Sequence, residues 1–296
     1  MNNTETRTAM ENTTNPHSLH AFGYRTILLS IYCIVLVCGT VCLSLTMHIL
    51  KSSSTSITSI AVLNLIFAHF IFLVTVPFRI YYYATDKWTL GAGLCKVVSS
   101  MIHTHMYMSF MFCVVILIMR LMNFYLKSNQ LASFNKIKAF LFSFMVWIVG
   151  LIVVPLTIHY CYGKKKDSPH DNGAVCFNFG KNIQDLDAKV FNYIVSSLII
   201  LVATVLMALQ AHVVWVLHGR RRQGCSSQQD FGTQVKSLCF ALIMFLCFVP
   251  YHVFRLYYLE NIELQQINEV FLSVTTLNCL DMLTLLGKRT CYTCFY

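Results

Sequence analysis

Residues 92–126, AGLCKVVSSMIHTHMYMSFMFCVVILIMRLMNFYL, form the stretch of sequence that decides the fold. Between Lys96 and Arg120 this stretch contains no other Asp, Glu, Lys or Arg. A helix needs about 20 predominantly apolar residues to cross the hydrocarbon core of a bilayer, and this run is longer than that. It therefore predicts a tilted membrane-spanning helix that projects beyond the lipid.

Further apolar segments lie on either side of this stretch. They fall at about residues 24–50, 57–84, 136–159, 188–218, 232–258 and 266–287. None of them shows the alternation of apolar and polar residues that is typical of barrel strands. The sequence predicts an all-α membrane protein, a seven-transmembrane helix bundle over residues 24–287, with tails at 1–23 and 288–296.

The composition agrees with a chain built for lipid. Of the 296 residues, 56% are hydrophobic and only 11% are charged, whereas about a quarter of the residues of a soluble domain are charged. The formal net charge is +10, but the basic residues lie in short segments between apolar runs, without an aromatic-interleaved basic stripe. We expect no nucleic-acid partner.

The cysteines and histidines give no sign of a metal or cofactor. The 13 cysteines are scattered singly, most of them inside apolar runs, and none has the paired spacing of a zinc site. Cys291 and Cys294 have no further His or Cys nearby and are better interpreted as lipidation candidates. His103 and His105 do not share a helix face. We expect no cofactor, no metal and, without a catalytic constellation, no enzyme activity.

Two N-x-Thr sequons, at Asn2 and Asn12, favour a glycosylated, extracellular N-terminus. Lys and Arg are divided about equally between the two sides, so the positive-inside rule does not decide the orientation. The sequence predicts a multi-pass plasma-membrane protein with a cytoplasmic C-terminal tail. The Arg220–Arg222 run would then contact anionic lipids of the inner leaflet.

A disulfide is expected at the extracellular side. Cys95 stands at the start of the third apolar segment, and Cys176 lies in the long outer loop at about 160–187. A bond between them would hold that loop over the mouth of the bundle. Cys176 is the preferred partner of Cys95, and Cys161 is the alternative.

Five short motifs occur in order along the apolar segments. They are WTLGAGLCK at 88–96, MRL at 119–121, a lone Trp147, CFVPYH at 247–252 and LNCLD at 277–281. Together they resemble the rhodopsin-like (class A) G-protein-coupled receptors over nearly the whole chain. Val76-Pro77-Phe78 and the spacing of His252 and Arg255 resemble the purinergic-like branch of that family. The resemblance implies a receptor that transmits an extracellular ligand signal to a heterotrimeric G protein.

The chain also departs from the family pattern. His69 and Thr40 replace the second-helix Asp and the first-helix Asn, Met119 replaces the acid before Arg120, Phe248 replaces a Trp, and Met282 and Leu285 replace the Pro and Tyr of the seventh-helix motif. These changes leave an alternative open, a non-signalling decoy or heteromer subunit. A small transporter is a second alternative, but the internal repeats expected of one are not seen.

The resemblance assigns G-protein coupling to Arg120. The alternative is an Arg that extends to the lipid headgroups. Because Met119 cannot form the ion pair that restrains this Arg in relatives, we expect elevated basal activity.

The resemblance also places an activation switch in mid-membrane. Its expected members are His69, His105, Ser109, Phe248, Pro250, Asn278 and Asp281. Either a charged His69 pairs with Asp281 and responds to pH, or a neutral His69 bonds to Asn278 or the backbone.

A ligand pocket is expected near the extracellular mouth. Its predicted residues are Arg79, Lys96, His103, Tyr107, Tyr251, His252 and Arg255. Aromatic walls and guanidinium donors suit an anionic small ligand, and Ile102, where amine receptors keep an Asp, argues against an amine. The alternative is that these charges pair with Glu260, Glu263, Glu269 or Asp residues of the loops.

Overall fold

The computed structural model describes residues 16–51, 57–125, 136–153, 176, 186–222 and 228–285. Within these ranges the chain is helical and forms no strand, which confirms the predicted all-α bundle. The predicted glycosylation sites Asn2 and Asn12, the alternative cysteine Cys161, and the lipidation candidates Cys291 and Cys294 lie outside the described residues.

The helices follow the apolar segments closely. They are α1 Pro16–Lys51, α2 Ile57–Thr85, α3 Ala92–Tyr125, α4 Lys136–Ile148, α5 Leu186–Arg222, α6 Gln228–Tyr258, α7 Gln265–Thr275 and α8 Asp281–Leu285. A π-helical turn, Val149–Val153, continues α4, and a 3-10 turn, Ile262–Leu264, precedes α7. A second 3-10 turn, Thr276–Leu280, joins α7 to α8. The seventh apolar segment is therefore one span in three pieces.

Five of the described helices are long and apolar enough to cross a membrane. The qualifying stretches are Gly23–His48, Ser59–Thr85, Ala92–Tyr125, Leu186–Arg221 and Phe231–Tyr258. The described part of the fourth span ends at Val153, and the seventh is broken by its 3-10 turn. α1 begins at Pro16, earlier than the expected start near residue 24. Proline is favoured in a first helical turn, where its missing N–H is not needed.

The bundle places apolar side chains outside and polar ones inside. Val37, Ile194 and Leu201 are more than 60% exposed on the outer faces, as lipid-facing residues should be, whereas His69 and Asp281 are fully buried. Because lipid offers buried polar groups no hydrogen bonds, they must be satisfied inside the protein. This arrangement brings the polar residues of distant segments together.

Small residues and one polar cluster fix how the helices approach each other. A Cβ on Gly150, in the π-helical turn, would overlap the Met108 side chain of α3, which would have to move to admit a larger residue. Beside it, the indole N–H of Trp147 donates to the amide oxygen of Asn64 on α2 at 2.8 Å. The Asn64 amide N–H in turn donates to the hydroxyl of Ser143 at 3.0 Å. The fourth span is thus bonded to α2 and packed on α3.

Candidate functional site

A disulfide marks one end of the bundle. Cys95, in the first turn of α3, is bonded to Cys176 with a Cα–Cα distance of 5.9 Å across 81 residues of sequence. Of the two candidate partners, Cys176 is the one bonded. The hydroxyl of Ser99 lies 4.0 Å and 3.9 Å from the sulfur atoms of Cys95 and Cys176. We call this end of the bundle the disulfide end.

Arg79 of α2 is buried near the disulfide end and donates hydrogen bonds to two other spans. It donates through Nη2 to the carbonyl of Val98 on α3 at 2.8 Å and through Nη1 to the hydroxyl of Tyr32 on α1 at 3.4 Å. The Tyr32 ring stacks on Tyr83 with centroids 5.8 Å apart. The Tyr83 hydroxyl donates to Oε2 of Glu269 at 3.2 Å. Arg79 is therefore hydrogen-bonded within the protein, and the carboxylate of Glu269 lies on the far side of the stacked Tyr32–Tyr83 pair.

Two basic side chains of α6 are held by neutral side chains of α5. Arg255 donates through Nε and Nη2 to the amide oxygen of Asn192 at 3.3 Å and 3.2 Å, and its guanidinium lies 5.3 Å from the centroid of the Tyr258 ring. One turn along, Nδ1 of His252 lies 3.1 Å from the hydroxyl of Ser196. Nε2 of His252 is buried and has no hydrogen-bond partner in the described part of the chain.

His103 lies between Arg79 and the two basic residues of α6. This half-buried side chain of α3 lies close enough to Arg79, Arg255 and His252 to interact with them electrostatically. The structure therefore brings four of the predicted ligand residues into one neighbourhood at the disulfide end. Three cationic or titratable groups around a half-buried imidazole favour a negatively charged ligand.

The remaining predicted ligand residues are placed differently. Tyr251 is buried and packs edge-on against His252, with ring centroids 4.8 Å apart. Tyr107 is half-buried on α3, one turn from His103. Lys96 is exposed on the first turns of α3. Lys96 is thus at the rim of the site rather than among the buried basic groups.

Glu260 is occupied elsewhere. At the turn after α6, it accepts hydrogen bonds from Nζ of Lys189 at 2.8 Å and from the hydroxyl of Tyr193 at 2.5 Å, both on α5. The bond from Lys189 and then that from Tyr193 hold the pKa of this carboxyl below its ordinary value. Glu263 is exposed on the following turn. Of Glu260, Glu263 and Glu269, it is Glu269 that lies near the basic groups.

The predicted mid-membrane switch is a chain of polar contacts. Nδ1 of His69 lies 2.8 Å from Nε2 of His105, and Nε2 of His69 lies 3.9 Å from Oδ1 of Asp281. The other oxygen of Asp281 accepts a hydrogen bond from the Cys113 thiol at 3.3 Å. A direct imidazole–imidazole hydrogen bond needs one nitrogen as donor and the other as acceptor. One of the two histidines is therefore not doubly protonated.

Two further predicted members of the switch do not join that chain through their side chains. Ser109 donates back to the carbonyl of His105 at 2.7 Å, within α3. The amide of Asn278 is buried and makes no hydrogen bond within the described residues, so His69 is not bonded to it there. No cluster of three or more His, Cys, Asp or Glu with metal-holding geometry occurs in the described ranges.

Phe248 and Pro250, the predicted switch residues on α6, lie farther from the disulfide end than His252 and Arg255 do. Phe248 is fully buried and meets Phe110 of α3 edge-on, with centroids 5.3 Å apart. Pro250 lies inside α6, two residues further along. A proline within a helix removes one backbone hydrogen bond and bends the helix. A bend at this position separates the half of α6 that carries Arg255 from the half that faces Arg120.

Arg120 contacts α6 at the end opposite the disulfide. Its Nη1 donates to the hydroxyl of Ser237 at 3.3 Å, and its guanidinium lies 5.1 Å from the centroid of the Phe240 ring. Met119 beside it is buried and offers no charge. Asp281 is within electrostatic range of Arg120. The guanidinium therefore lies against the bundle interior, in contrast to the alternative in which it extends to the lipid.

Comparison with known proteins matches residues 35–283 to the family model described as 7 transmembrane receptor (rhodopsin family). The match covers most of the chain and, apart from Tyr32, all of the site residues described above. The chain belongs to the rhodopsin family of seven-transmembrane receptors. This confirms the family resemblance and the seven-helix bundle, and it makes the protein a multi-pass membrane receptor rather than an enzyme.

Several relatives align over most of this receptor. Probable G-protein coupled receptor 141 of Homo sapiens is 36% identical over 266 residues, covering 86% of each chain. Probable G-protein coupled receptor 34 of Pan troglodytes is 25% identical over 277 residues, 86% of this chain and 71% of its own. The 2-oxoglutarate receptor 1 of Rattus norvegicus is 22% identical over 261 residues, 86% of this chain and 74% of its own.

Sequence reasoning missed the residues that hold the receptor's basic groups in place. Asn192 and Ser196 of α5 lie one helical turn apart on the face toward α6, and each bonds a basic residue of α6. Their four-residue spacing within an apolar segment was the available signal. Tyr32 and Tyr83, by contrast, carry no spacing that would have marked them.

Proposed function

We propose that this receptor binds an extracellular anionic ligand at the disulfide end and transmits the signal to a heterotrimeric G protein from the plasma membrane. In this proposal the N-terminus is extracellular, in keeping with the sequons at Asn2 and Asn12. The ligand lies among His103, His252 and Arg255. Membrane lipids surround the apolar faces, and the receptor needs no cofactor.

The observation that carries the ligand proposal is the grouping of a buried guanidinium with two imidazoles at the disulfide end. The guanidinium is bonded to Asn192 and lies beside two imidazoles, His252 and His103. A carboxylate or phosphate brought to this place gains charge-assisted hydrogen bonds at little cost in protein reorganisation. The similarity to a receptor whose name specifies 2-oxoglutarate, a small anion, supports the same class of ligand here.

The proposed signal runs along α6. Binding at Arg255 acts on the half of α6 beyond Pro250, and Phe248 transmits the change to α3 through Phe110. At the other end, the single hydrogen bond from Arg120 to Ser237 opens and frees the guanidinium for the G protein. Each step uses a contact between α3 and α6, the pair of helices whose separation exposes the cytoplasmic surface.

Ligand-free G-protein activation tests this proposal. Membranes containing the receptor should activate G protein above background, because Met119 cannot restrain Arg120 with an ion pair. Arg120→Ala should lower the rate by a factor on the order of 5–150, the usual range of a coupling free energy. Ser237→Ala, which removes only the bond that holds Arg120, is the matched control and should leave the rate unchanged or higher.

The alternative function is that of a receptor-like decoy or heteromer subunit. The motif changes favour it, since Met119, Phe248 and Met282 stand where the family keeps signalling residues. Recruitment of G protein to cell-surface receptor separates the two. Surface receptor that recruits none, with or without Arg120, would overturn the signalling proposal and leave the decoy.

A further inference from the structure

The carboxylate of Asp281 lies between α3 and α6. Its Oδ2 accepts a hydrogen bond from the Cys113 thiol of α3 at 3.3 Å, and Cys247 of α6 is close enough to interact with it electrostatically. Asp281 is fully buried, so protein rather than water surrounds it. A donor that bonds to the carboxylate favours its charged form.

Arg120 adjoins the same faces of α3 and α6, farther from the disulfide end. On α3 it follows Cys113 by seven residues, and on α6 its partner Phe240 precedes Cys247 by seven. Seven residues make nearly two turns, about 10.5 Å along the axis, and return a side chain to the same face. Because helical side chains tilt toward the N-terminus of their helix, the long Arg120 side chain extends toward the level of Asp281.

The layer between the two charged groups is apolar. Ile116 of α3 and Met244 of α6 lie on those same faces, midway between the two levels, and both are fully buried. In apolar surroundings, opposite charges attract over longer distances than in water. Arg120 and Asp281 are within electrostatic range of each other. The guanidinium, bonded to Ser237, is therefore also attracted toward the interior of the bundle.

His69 is the other basic group beside Asp281. Its Nε2 lies 3.9 Å from Oδ1 of the carboxylate, and its Nδ1 is hydrogen-bonded to His105. An imidazole is positively charged only when both of its nitrogens are protonated, whereas a guanidinium is always charged. A buried carboxylate is strongly destabilising without a compensating charge, and Arg120 provides one that does not depend on protonation.

We propose that Asp281 is the counter-charge that holds the Arg120 guanidinium inside the bundle, and that it restrains signalling in place of the acid that Met119 replaces. This inference deepens the proposed function, on which its signalling consequence rests. Since an apolar layer separates the two charges, the restraint is weaker than that of an adjacent acid, and basal activity stays above background. Asp281 is then a positioning residue that acts through Arg120.

A double-mutant cycle on purified receptor tests the pair without G protein. Arg120→Met removes the guanidinium charge and keeps a long side chain, and Asp281→Asn removes the carboxylate charge at nearly constant shape. The readout is the change in Tm that Arg120→Met causes in each background, because the effects of independent sites add. In Asp281→Asn that change should be more favourable than in the wild type by about 2 °C or more, since the arginine has then lost its counter-charge.

Two further backgrounds serve as controls. Glu263→Gln makes a similar charge change at an exposed position, and His69→Asn removes the other basic group beside Asp281. Arg120→Met should change the Tm in both backgrounds as it does in the wild type. An equal effect of Arg120→Met in the wild type and in Asp281→Asn overturns the inference.

A second variant covers a failure of Asp281→Asn to fold. Asp281→Ser is also neutral, and the same result is expected of it. If neither variant folds alone, both should fold once Arg120→Met is added, because the unpaired charge is then removed. Failure of the double variants to fold overturns the inference.

The restraint itself is measured as ligand-free G-protein activation at equal surface expression. Asp281→Asn should raise the rate by about fivefold or more, the lower end of the usual range for a coupling free energy. Adding Met119→Asp to Asp281→Asn gives Arg120 a carboxylate on its own helix and should return the rate toward that of the wild type, whereas adding Met119→Asn should not. An unchanged or lower rate in Asp281→Asn overturns the inference.

The two measurements separate this inference from the proposed function. Coupling in Tm, without G-protein activation by the wild type or any variant, would refute the signalling proposal and support the pairing of Asp281 with Arg120. Activation that depends on Arg120, without coupling in Tm, would refute only the role assigned to Asp281.

Discussion

The halves of α6 on either side of Pro250 are held in the bundle very differently. Beyond the proline, toward the disulfide end, polar contacts join α6 and the turn after it to α5: Ser196 with His252, Asn192 with Arg255, and Lys189 and Tyr193 with Glu260. Before the proline, the contacts include a 3.3 Å hydrogen bond from Arg120 to Ser237 and the Arg120 guanidinium on the face of Phe240. The ring of Phe231 in this half also contacts Arg221 and His218 of α5.

The difference indicates which half of α6 is built to move. Several directed hydrogen bonds hold a helix in one orientation, while a long hydrogen bond and contacts with aromatic faces are less directional and can be exchanged for a partner's contacts at smaller cost. The half near Arg120 is also the half where the family resemblance places G-protein coupling. A ligand at Arg255 therefore binds the half of α6 that is hydrogen-bonded to α5. The resulting change is detected by the G protein at the other half, near Arg120.

The largest effect on G-protein activation is expected from replacing Pro250, the residue that separates the two halves of α6. Pro250→Ala restores the backbone N–H inside α6 and removes the ring that bends it. The two halves should then behave as one straight helix, anchored through its α5 contacts. G-protein activation should fall by a factor on the order of 5–150, while Tm is unchanged or higher. Unaltered activation at equal surface expression would show that the proline does not separate the halves.

A smaller effect on G-protein activation is expected from giving Arg120 an ion-pair partner on its own helix. Met119→Asp places a carboxylate next to Arg120, where an ion pair would hold the guanidinium. Basal activation should drop several-fold, consistent with about 1 kcal/mol for a partly exposed pair. Met119→Asn, with the same shape and no charge, is the control and should lie close to wild type. Equal basal rates in the two variants would argue that Arg120 is not restrained by charge.

The smallest effect is expected at Glu260, the exposed residue that joins the turn after α6 to α5, and it concerns stability. Glu260→Gln leaves Lys189 and Tyr193 with a neutral acceptor, and Tm should fall by less than about 3 °C because exposed ion pairs contribute little. Since the pKa of Glu260 is lowered in the folded protein, its contribution is complete at neutral pH and declines as pH falls below the ordinary Glu value of about 4.3. The variant should lose this acid dependence. If the Tm of Glu260→Gln falls with acid as much as the wild-type Tm does, then groups other than Glu260 cause the acid dependence.

The helices were predictable because apolar length alone selects membrane spans. The expected segments 57–84, 92–126 and 232–258 agree with α2, α3 and α6 to within a few residues. The break in the seventh span was not predictable from hydropathy. There the hydroxyls of Thr275 and Thr276 donate to carbonyls three residues earlier, at 2.6 Å and 2.5 Å, and such bonds compete with regular helix geometry.

The site was only partly predictable. Basic residues stand out in an apolar sequence, so His103, His252 and Arg255 could be chosen without a structure. Their partners depend on contacts between distant segments: Tyr83 and Glu269 are 186 residues apart. The same limit applies to His69, expected opposite Asp281 but in closer contact with His105.

The Asn64 amide also fixes the rotation of α4 about its own axis. Ser143 and Trp147, its two partners, are four residues apart and so lie on one face of the helix. Hydrocarbon tails cannot replace either bond, so a rotated α4 would leave both groups unsatisfied. A single residue inserted between Ser143 and Trp147 would turn one of them by about 100° relative to the other, so that the Asn64 amide could no longer bond both. The stretch from Ser143 to Trp147 therefore cannot gain or lose one residue without losing one of the two bonds.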